Sequence, residues 1–207
     1  MEFYAGELAL QQGAAVSEDR ATARAFVEEL FGLHHAEIYS YLARMVRDDE
    51  LAADLAQESF VKAYRAFETL EDPTRARSWL YQIASRTALD ELRRRKILRF
   101  VPWTGESRGS ALSAEDVALH GRLSGEMERA LASIPERQRN ALILAELHDL
   151  TGLELAATLG VSHVAARALL TRARESLRQA LAVQRAMTGS VQPARTRRSR
   201  PAARRKT

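Results

Sequence analysis

The chain of 207 residues contains no cysteine. Disulfide bonds and thiolate metal sites are therefore excluded, and the composition is typical of proteins from a reducing compartment. The five histidines are scattered, except for the adjacent His34 and His35, which cannot share a helical face and make a poor metal pair. No phosphate-binding loop and no nucleophile with a base and an orienting group is recognisable. We therefore expect no metal, no cofactor and no enzymatic activity.

Long apolar runs are also missing. No window approaches 18 consecutive apolar residues, and the first 20 residues lack the basic and apolar stretches of a signal peptide. We therefore expect a cytoplasmic protein that does not insert into a membrane.

Outside the C-terminal tail, the chain has no excess of basic over acidic residues. Seven of the 31 Lys and Arg residues lie in residues 188–207, which contain no acid, so residues 1–187 carry 24 cations against 27 acids. The body is thus not a general polyanion binder, and any contact with DNA must be made by local basic patches. The tail itself is poor in apolar residues and rich in like charge, which predicts disorder and, at most, a sequence-independent affinity for nucleic acid.

Helical periodicity is what the chain does contain, and it is centred on residues 48–96. The first part of this segment predicts a buried apolar stripe formed by Ala53, Ala56, Phe60, Tyr64 and Phe67. The opposite side predicts a ridge formed by Asp54, Glu58, Val61 and Arg65, with Gln57 beside it. Carboxylates four residues apart repel each other, so this ridge is either solvated or covered by a basic partner.

The second part of the segment predicts a helix with two different faces. Leu80, Ile83, Ala84 and Thr87 share an apolar face, whereas Trp79, Gln82, Arg86 and Arg93 share another. An aromatic ring, an amide and guanidinium groups are the side chains that stack on bases, read base edges and hold phosphates. The alternative is an ordinary exposed face with a half-buried tryptophan, but the basic run at residues 93–96 favours a nearby polyanion.

Residues 99–114 lack periodicity and are rich in Gly, Ser and Pro, which predicts a linker.

A second helical unit follows the linker. In it, a short helix with Leu155, Ala156 and Leu159 inward ends at Gly160, and Ser162 is suited to cap a longer helix. This spacing predicts a helix-turn-helix, although a merely structural helical hairpin remains the alternative. The outward side of the second helix carries His163, Arg167, Ala168, Thr171, Arg172 and Arg174.

The order of these parts resembles that of the extracytoplasmic-function (ECF) sigma factors, the compact two-domain branch of the main bacterial sigma family. The resemblance covers about residues 24–182. It rests on four motifs in sequence: DLAQESFVKAYRAF at 54–67, SWLYQIASRTALDELRRR at 78–95, IPERQRNALILAEL at 134–147 and LTGLELAATLGVS at 150–162. Each motif alone would be weak, but their order and spacing are specific.

The resemblance implies an all-α fold of two small helical domains joined by a flexible linker. It divides the chain into an N-terminal extension (1–20), sigma domain two (21–98), a linker (99–114), sigma domain four (115–185) and a basic tail (186–207). It also implies an RNA polymerase sigma factor that binds the core enzyme and directs it to promoters, with association to the nucleoid when active. Members of this family are commonly held inactive by an anti-sigma protein, so we expect such a partner as well.

The resemblance further assigns site residues. Those that would bind the clamp of the largest polymerase subunits are Asp54, Gln57, Glu58 and Phe60. Those that would read and open the −10 element of promoter DNA are Asp72, Arg75, Arg77, Trp79, Gln82, Arg86, Arg93 and Arg94. Those that would read the −35 element are the six outward residues of the second helix-turn-helix helix: His163, Arg167, Ala168, Thr171, Arg172 and Arg174.

Two departures from the family pattern affect specificity. Arg86 stands where members often have Asn, so the base contact of those members does not carry over to it. Ala168 with Leu169 replaces a common Ser-Arg pair, which predicts either an unusual −35 preference or a larger share of specificity in domain two.

Two other functions remain open from the sequence. A stand-alone helix-turn-helix regulator would act without polymerase and leave the acidic ridge inert. A module that sequesters another regulator would not need Arg167 or Arg172.

Overall fold

The computed structural model describes the backbone of residues 3–98 and 123–189, and the side chains of residues 20–97 and 123–187. The whole predicted linker (99–114) and most of the predicted basic tail (186–207) lie outside the described residues. Within these ranges every regular element is helical, which confirms the all-α fold.

Domain two consists of three α-helices and two short 3-10 turns. The α-helices are α1 (Phe3–Val46), α2 (Asp49–Arg65) and α3 (Ala76–Leu98), and the 3-10 turns are Phe67–Thr69 and Pro73–Arg75. Domain four consists of α4 (Gly125–Ser133), α5 (Glu136–Leu142), a π-helical turn (Ile143–Leu147), α6 (Gly152–Leu159) and α7 (His163–Gly189).

Helix α1 is longer than the sequence suggested. The resemblance placed an N-terminal extension at residues 1–20 before domain two; in the structure, one helix of 44 residues begins at Phe3 and includes most of that extension. No proline lies in this helix, and each of its three glycines (Gly6, Gly13 and Gly32) costs only about 1 kcal/mol relative to alanine. The helix ends where Arg47 adopts a positive φ of 59°, after which Asp48 caps α2 by accepting a hydrogen bond from the Leu51 amide at 3.1 Å.

The predicted buried stripe of α2 is partly wrong. Ala56 and Phe60 are buried, but Tyr64 is 38% exposed, and Ala53 and Phe67 are only partly buried. The buried face is instead formed by Ala52, Leu55, Ala56, Ser59, Phe60 and Ala63. The predicted stripe thus left out three buried apolar residues, Ala52, Leu55 and Ala63. It also left out Ser59, whose hydroxyl is satisfied inside the helix by the Leu55 carbonyl at 2.7 Å.

The helix-turn-helix has the predicted local chemistry. Thr151 and Glu154 form a capping box at the start of α6, and Gly160 ends this helix with a left-handed φ of 65°. The Ser162 hydroxyl then accepts a hydrogen bond from the Ala165 amide at 3.2 Å and caps α7. The axes of α6 and α7 differ by 97°.

No described helix is by itself long and apolar enough to cross a membrane. Helices α6 and α7 together have the length and the apolar composition of a membrane span, but the pair is bent by 97°.

The two domains share a hydrophobic core, which the sequence did not predict. The cluster formed by α1, α2 and α3 continues into domain four through Ile143, Leu144, Leu150, Leu155, Ala156 and Ala166. A smaller cluster inside domain four contains Leu131, Ile134, Leu142 and Ala173. Helix α6 therefore packs on α3, and this arrangement covers part of the predicted DNA-reading face.

Candidate nucleic-acid interface

Helix α2 presents the predicted acidic ridge to solvent. Asp54, Gln57 and Glu58 are all exposed, and Glu58 pairs with Lys62 one turn later at 2.8 Å. Phe60 differs from them because it is only 5% exposed, and its ring packs 5.0 Å from that of Phe31. The structure therefore places three of the four predicted polymerase-binding residues on one surface, with Phe60 as packing beneath it.

Four of the predicted −10 residues converge on one pocket between the second 3-10 turn and α3. The pocket has a volume of about 200 Å³, and its lining consists of Thr69, Leu70, Glu71, Asp72, Arg75, Ser78, Trp79, Gln82 and Ala157. An aromatic ring, an amide and a guanidinium group thus surround one cavity, which is the chemistry that holds an unstacked base. The sequence did not identify Thr69, Leu70 or Ala157, because only the tertiary structure brings them to this wall.

Asp72 shapes the loop beside this pocket. Its Oδ1 accepts from the Thr74 amide at 2.9 Å and from the Thr74 hydroxyl at 2.7 Å, which starts the 3-10 turn that contains Pro73. These two hydrogen bonds lower the pKa of Asp72 below its ordinary value. The carboxylate is therefore held ionised, and one of its oxygens is committed to the turn.

Trp79 and Gln82 are held in the pocket wall by one hydrogen bond each. The Trp79 indole Nε1 donates to the Thr69 hydroxyl at 3.3 Å. The Gln82 Nε2 donates to the main-chain carbonyl of Ala157 at 3.0 Å, across the domain boundary. Domain four therefore occupies a donor that the sequence assigned to DNA.

Arg77 does not line the pocket. Its Nε donates to the Glu37 carboxylate at 3.0 Å and its Nη2 to the main-chain carbonyl of His148 at 2.9 Å. The Tyr81 hydroxyl also contacts Glu37, at 3.1 Å, and lies 2.8 Å from Nδ1 of His148. Burial, followed by the nearby Glu37 carboxylate, raises the pKa of Tyr81. The predicted −10 residue Arg77 is thus part of an interdomain network in this structure.

The remaining predicted −10 residues lie along α3. Arg86 is exposed on the same helix. Arg93 and Arg94 are exposed near its C-terminus, where they pair with Asp90 at 2.8 Å and Glu91 at 2.7 Å. Burial alone would raise the pKa of Glu91, but its hydrogen bonds from Arg94 and Arg95 outweigh this effect and lower it. The end of α3 is therefore a basic surface whose charges are partly offset from within the helix.

Helix α7 exposes every predicted −35 residue. Arg167, Ala168, Thr171 and Arg172 form its outward face, and the Thr171 hydroxyl donates back to the Arg167 carbonyl at 3.0 Å. His163 lies at the start of this helix with its ring against α6, since a Cβ added to Gly152 would lie 2.8 Å from its Nε2.

Arg174 is oriented differently from the other arginines of α7. Its Nη2 and Nε lie 2.6 and 2.9 Å from Oε1 of Glu146, in the π-helical turn. We therefore assign to Arg174 a link between α7 and that turn, in addition to any contact with DNA.

The interdomain interface contains buried polar residues that sequence reasoning missed. The Tyr41 hydroxyl donates to Oδ1 of Asn140 at 2.8 Å, and Nδ2 of Asn140 donates to the Ser85 hydroxyl at 2.7 Å. Thr158 adds a hydrogen bond from its hydroxyl to the Ser78 carbonyl at 3.2 Å. These partners are 55 to 99 positions apart in sequence, so no local pattern could have paired them.

Comparisons with known families agree with this architecture. Residues 30–97 match the model of Sigma-70 region 2, and residues 124–177 match the model of Sigma-70 region 4. The first range begins within α1 and ends near the end of α3. The second range begins at the start of α4 and ends in the middle of α7.

Curated relatives extend the same similarity over most of the chain. RNA polymerase sigma factor CarQ of Myxococcus xanthus is 32% identical over 154 residues, which cover 74% of this chain and 88% of that relative. ECF RNA polymerase sigma factor SigM of Bacillus subtilis is 28% identical over 158 residues, which cover 73% of this chain and 93% of that relative. For ECF RNA polymerase sigma factor SigE of Mycolicibacterium smegmatis the identity is 30% over 160 residues, and the chain spans 61% of that relative.

Solved structures show the same fold at lower identity. The sigma factor RpoE of Bartonella quintana, in complex with the anti-sigma factor NepR, is 21% identical with a TM-score of 0.60, over 76% of this chain and 98% of that chain. CnrH, in complex with the cytosolic domain of CnrY, is 21% identical with a TM-score of 0.54. The match covers 84% of this chain and 99% of the CnrH chain.

The two matched regions, in this order and on this fold, define a two-domain bacterial sigma factor. The chain belongs to the sigma-70 family of RNA polymerase sigma factors, in its ECF branch. It is therefore a transcription initiation factor, and the stand-alone regulator is not favoured.

Proposed function

We propose that this sigma factor divides its work among three surfaces: α2 binds core RNA polymerase, the pocket with α3 reads and opens the −10 element, and α7 reads the −35 element. The assignment is carried by the pocket, because Trp79, Gln82, Asp72 and Arg75 meet in its lining. A flat basic surface could hold duplex DNA, but a pocket with an aromatic ring in its wall fits a base taken out of the stack.

Opening of DNA at this pocket needs no nucleotide hydrolysis. Extruding a base costs a few kcal/mol, and stacking contributes about 1–3 kcal/mol per base. Trp79 offers the stacking surface, and Arg86, Arg93 and Arg94 lie along the same helix to contact phosphates. We therefore propose that the protein acts by binding alone and is not an enzyme.

Helix α7 fits the major groove through its N-terminal half. Arg167, Ala168 and Thr171 lie on the exposed face, and a helix at 97° to its predecessor is the arrangement in which a recognition helix enters the groove. Ala168 and Leu169 depart from the family pattern in this helix, so we propose a −35 preference that differs from that of other members.

An anti-sigma protein is the second proposed partner. The solved neighbours are complexes of RpoE with NepR and of CnrH with the cytosolic domain of CnrY. A comparable partner of this chain would act in the cytoplasm, where we place the factor, and would release it to polymerase and the nucleoid.

Run-off transcription tests the function. Purified core polymerase is incubated with a library of bacterial promoter fragments, with and without the full chain. We expect initiation at defined start sites that share two spaced motifs. If core stays inactive while the chain alone shifts DNA, the stand-alone regulator is the better description.

A further inference from the structure

Arg139 is a buried arginine for which the described residues provide no counter-ion. It lies in α5 and is only 6% exposed. Its Nε is buried without a hydrogen-bond partner, and its guanidinium group forms no ion pair within residues 20–97 and 123–187. A buried guanidinium group destabilises a protein unless its charge and its donors are satisfied. Arg139 therefore needs an acceptor that the described residues do not supply.

A second cation, Arg47, lies near Arg139 at the end of α1. The residue next to Arg139, Asn140, is hydrogen-bonded to Tyr41 of α1, and Arg47 follows Tyr41 by six positions, which is about 9 Å along a helix. Burial lowers the pKa of the Arg139 guanidinium group, and the charge of Arg47 lowers it further. Arg47 is exposed, and its side chain forms no ion pair in the described part of the chain. Two cations from different domains therefore face each other here.

The acidic residues that act on this region do not neutralise the two cations. Glu136 is one turn before Arg139 on α5 and raises its pKa, but the two side chains form no ion pair among the described residues. On α4, Glu128 acts on a different cation, Arg44, whose Nη1 donates to the Ser40 carbonyl at 3.2 Å. Positive charge is therefore in excess where the end of α1 meets α5.

We infer that Arg139 and Arg47 form a binding site for the phosphate group of a small anion. The planar guanidinium group presents its donors in a fork that matches two phosphate oxygens, and such charge-assisted hydrogen bonds are the stronger ones. A phosphate dianion would balance both positive charges and supply acceptors to the buried donor. The inference does not rest on the proposed function, because it can be tested without polymerase and without a promoter.

The DNA backbone is the other source of the same phosphate chemistry. Arg139 is almost completely buried, whereas Arg167 and Arg172, which we assign to DNA, are exposed on α7. A small free anion needs only a small opening to reach a buried side chain, but a duplex needs an exposed surface. The burial of Arg139 therefore favours the free anion.

Inorganic phosphate is the probe for this site. Thermal unfolding of the full chain is followed by circular dichroism in phosphate and in chloride, at the same ionic strength and at neutral pH. Because phosphate also stabilises folded proteins in general, the parent chain must be compared with variants. Arg139→Met removes the buried charge and keeps an apolar side chain. Arg129→Met is the matched control, since Arg129 is an exposed arginine of the same domain.

We expect phosphate to raise the thermal midpoint of the parent and of Arg129→Met more than that of Arg139→Met. Arg47→Gln should show an intermediate rise, and because Arg47 is exposed this variant tests the site even if Arg139→Met does not fold. Isothermal titration calorimetry with inorganic phosphate should detect one site, with an affinity at least tenfold lower in Arg139→Met or Arg47→Gln. The inference is overturned if phosphate raises all the midpoints equally and calorimetry detects no binding to the parent.

Fluorescence anisotropy with a labelled DNA duplex in phosphate-free buffer distinguishes the two sources of phosphate. A site for a free anion predicts that Arg139→Met binds the duplex as the parent does, whereas Arg167→Ala binds it more weakly. If Arg139→Met loses affinity for the duplex and the parent does not bind inorganic phosphate, the site belongs to DNA and the inference fails. If no chain binds the duplex, the proposed function is in question, and calorimetry still decides whether the anion site exists.

Discussion

The hydroxyl of Tyr41 donates a 2.8 Å hydrogen bond to the side-chain oxygen of Asn140, which lies 99 positions further along the chain. Neither residue is exposed to solvent, and the other end of the Asn140 amide donates to Ser85. The oxygen and the nitrogen of this domain-four side chain are thus each hydrogen-bonded to domain two. This relationship couples the stability of the domains and provides the first prediction.

Tyr41→Phe should lower the free energy of unfolding by about 1–2 kcal/mol, because the buried Asn140 oxygen loses its donor. The loss should appear in urea denaturation followed by circular dichroism. A chain whose domains unfold together should keep one transition, whereas Tyr41→Phe is expected to split it in two. Tyr64→Phe is the matched control, since it also removes one tyrosine hydroxyl, at a position of α2 that is 38% exposed. Unchanged stability in Tyr41→Phe would show that the domains are not coupled through this bond.

The acidic ridge of α2 should be needed for polymerase binding. Replacing Asp54 and Glu58 together with alanine removes two exposed carboxylates, and we expect at least a tenfold loss of affinity for core polymerase, since each 1.4 kcal/mol is tenfold. Native gel shift or fluorescence anisotropy measures the loss. The double variant Glu29→Ala with Glu68→Ala changes the net charge equally at exposed positions outside α2 and should bind normally. Equal losses in both pairs would point to overall charge instead of this ridge.

Arg167 and Arg174 should differ in their contribution to DNA binding although both are exposed arginines of α7. Arg174 is paired with Glu146 at 2.6 Å, whereas Arg167 forms no ion pair within the part of the chain that the structure describes. Arg167→Ala should therefore weaken binding to a −35 fragment more than Arg174→Ala does. If Arg167 contacts a phosphate, its removal should also reduce the slope of log affinity against log salt by about one. A larger effect of Arg174→Ala would reverse the assignment.

The turn of the helix-turn-helix should require glycine. Gly160 has a φ of 65°, a conformation that costs a residue with a side chain about 1 kcal/mol. Gly160→Ala should lower the thermal midpoint accordingly. Gly125→Ala is the matched control: this glycine is in the first turn of α4, and an added Cβ would make an ordinary contact of 3.5 Å with Arg129. We expect the control to be neutral or slightly stabilising.

The capping box of α6 should be sensitive to acid. The Glu154 carboxylate accepts from the Thr151 hydroxyl at 2.7 Å and from its amide at 2.8 Å, and these bonds lower the pKa of Glu154 below the ordinary 4.5. Because the pKa is lower in the folded state, the stabilisation is present above pH 4.5 and is lost as the pH falls through the folded value. Glu154→Gln should therefore cost about 0.5 kcal/mol at neutral pH, and nothing once the carboxylate is protonated. A difference that does not shrink in acid would contradict this account.

Local elements were predictable where chemistry and periodicity act over a few residues. Gly160 and Ser162 marked the end of one helix and the start of the next. Of the predicted apolar face of α3, Leu80, Ala84 and Thr87 are buried, whereas Ile83 is only partly buried. The buried face of α2 was predicted less well: Ala52, Leu55 and Ala63 were left out although apolar, and Ser59 is a polar residue inside the face. A rule based on apolar spacing alone cannot place such a residue inside.

The sequence by itself determined an all-helical chain, the two-domain order and the family to which it belongs, because caps, turns and periodic faces depend on neighbours in the chain. Only the tertiary structure decided which side chains share the −10 pocket, that Arg77 turns away from it toward Glu37, and that Asn140 and His148 close domain four onto domain two. These contacts join residues 40 to 99 positions apart. Their partners are chosen by how the packed helices meet, and no short stretch of sequence contains that information.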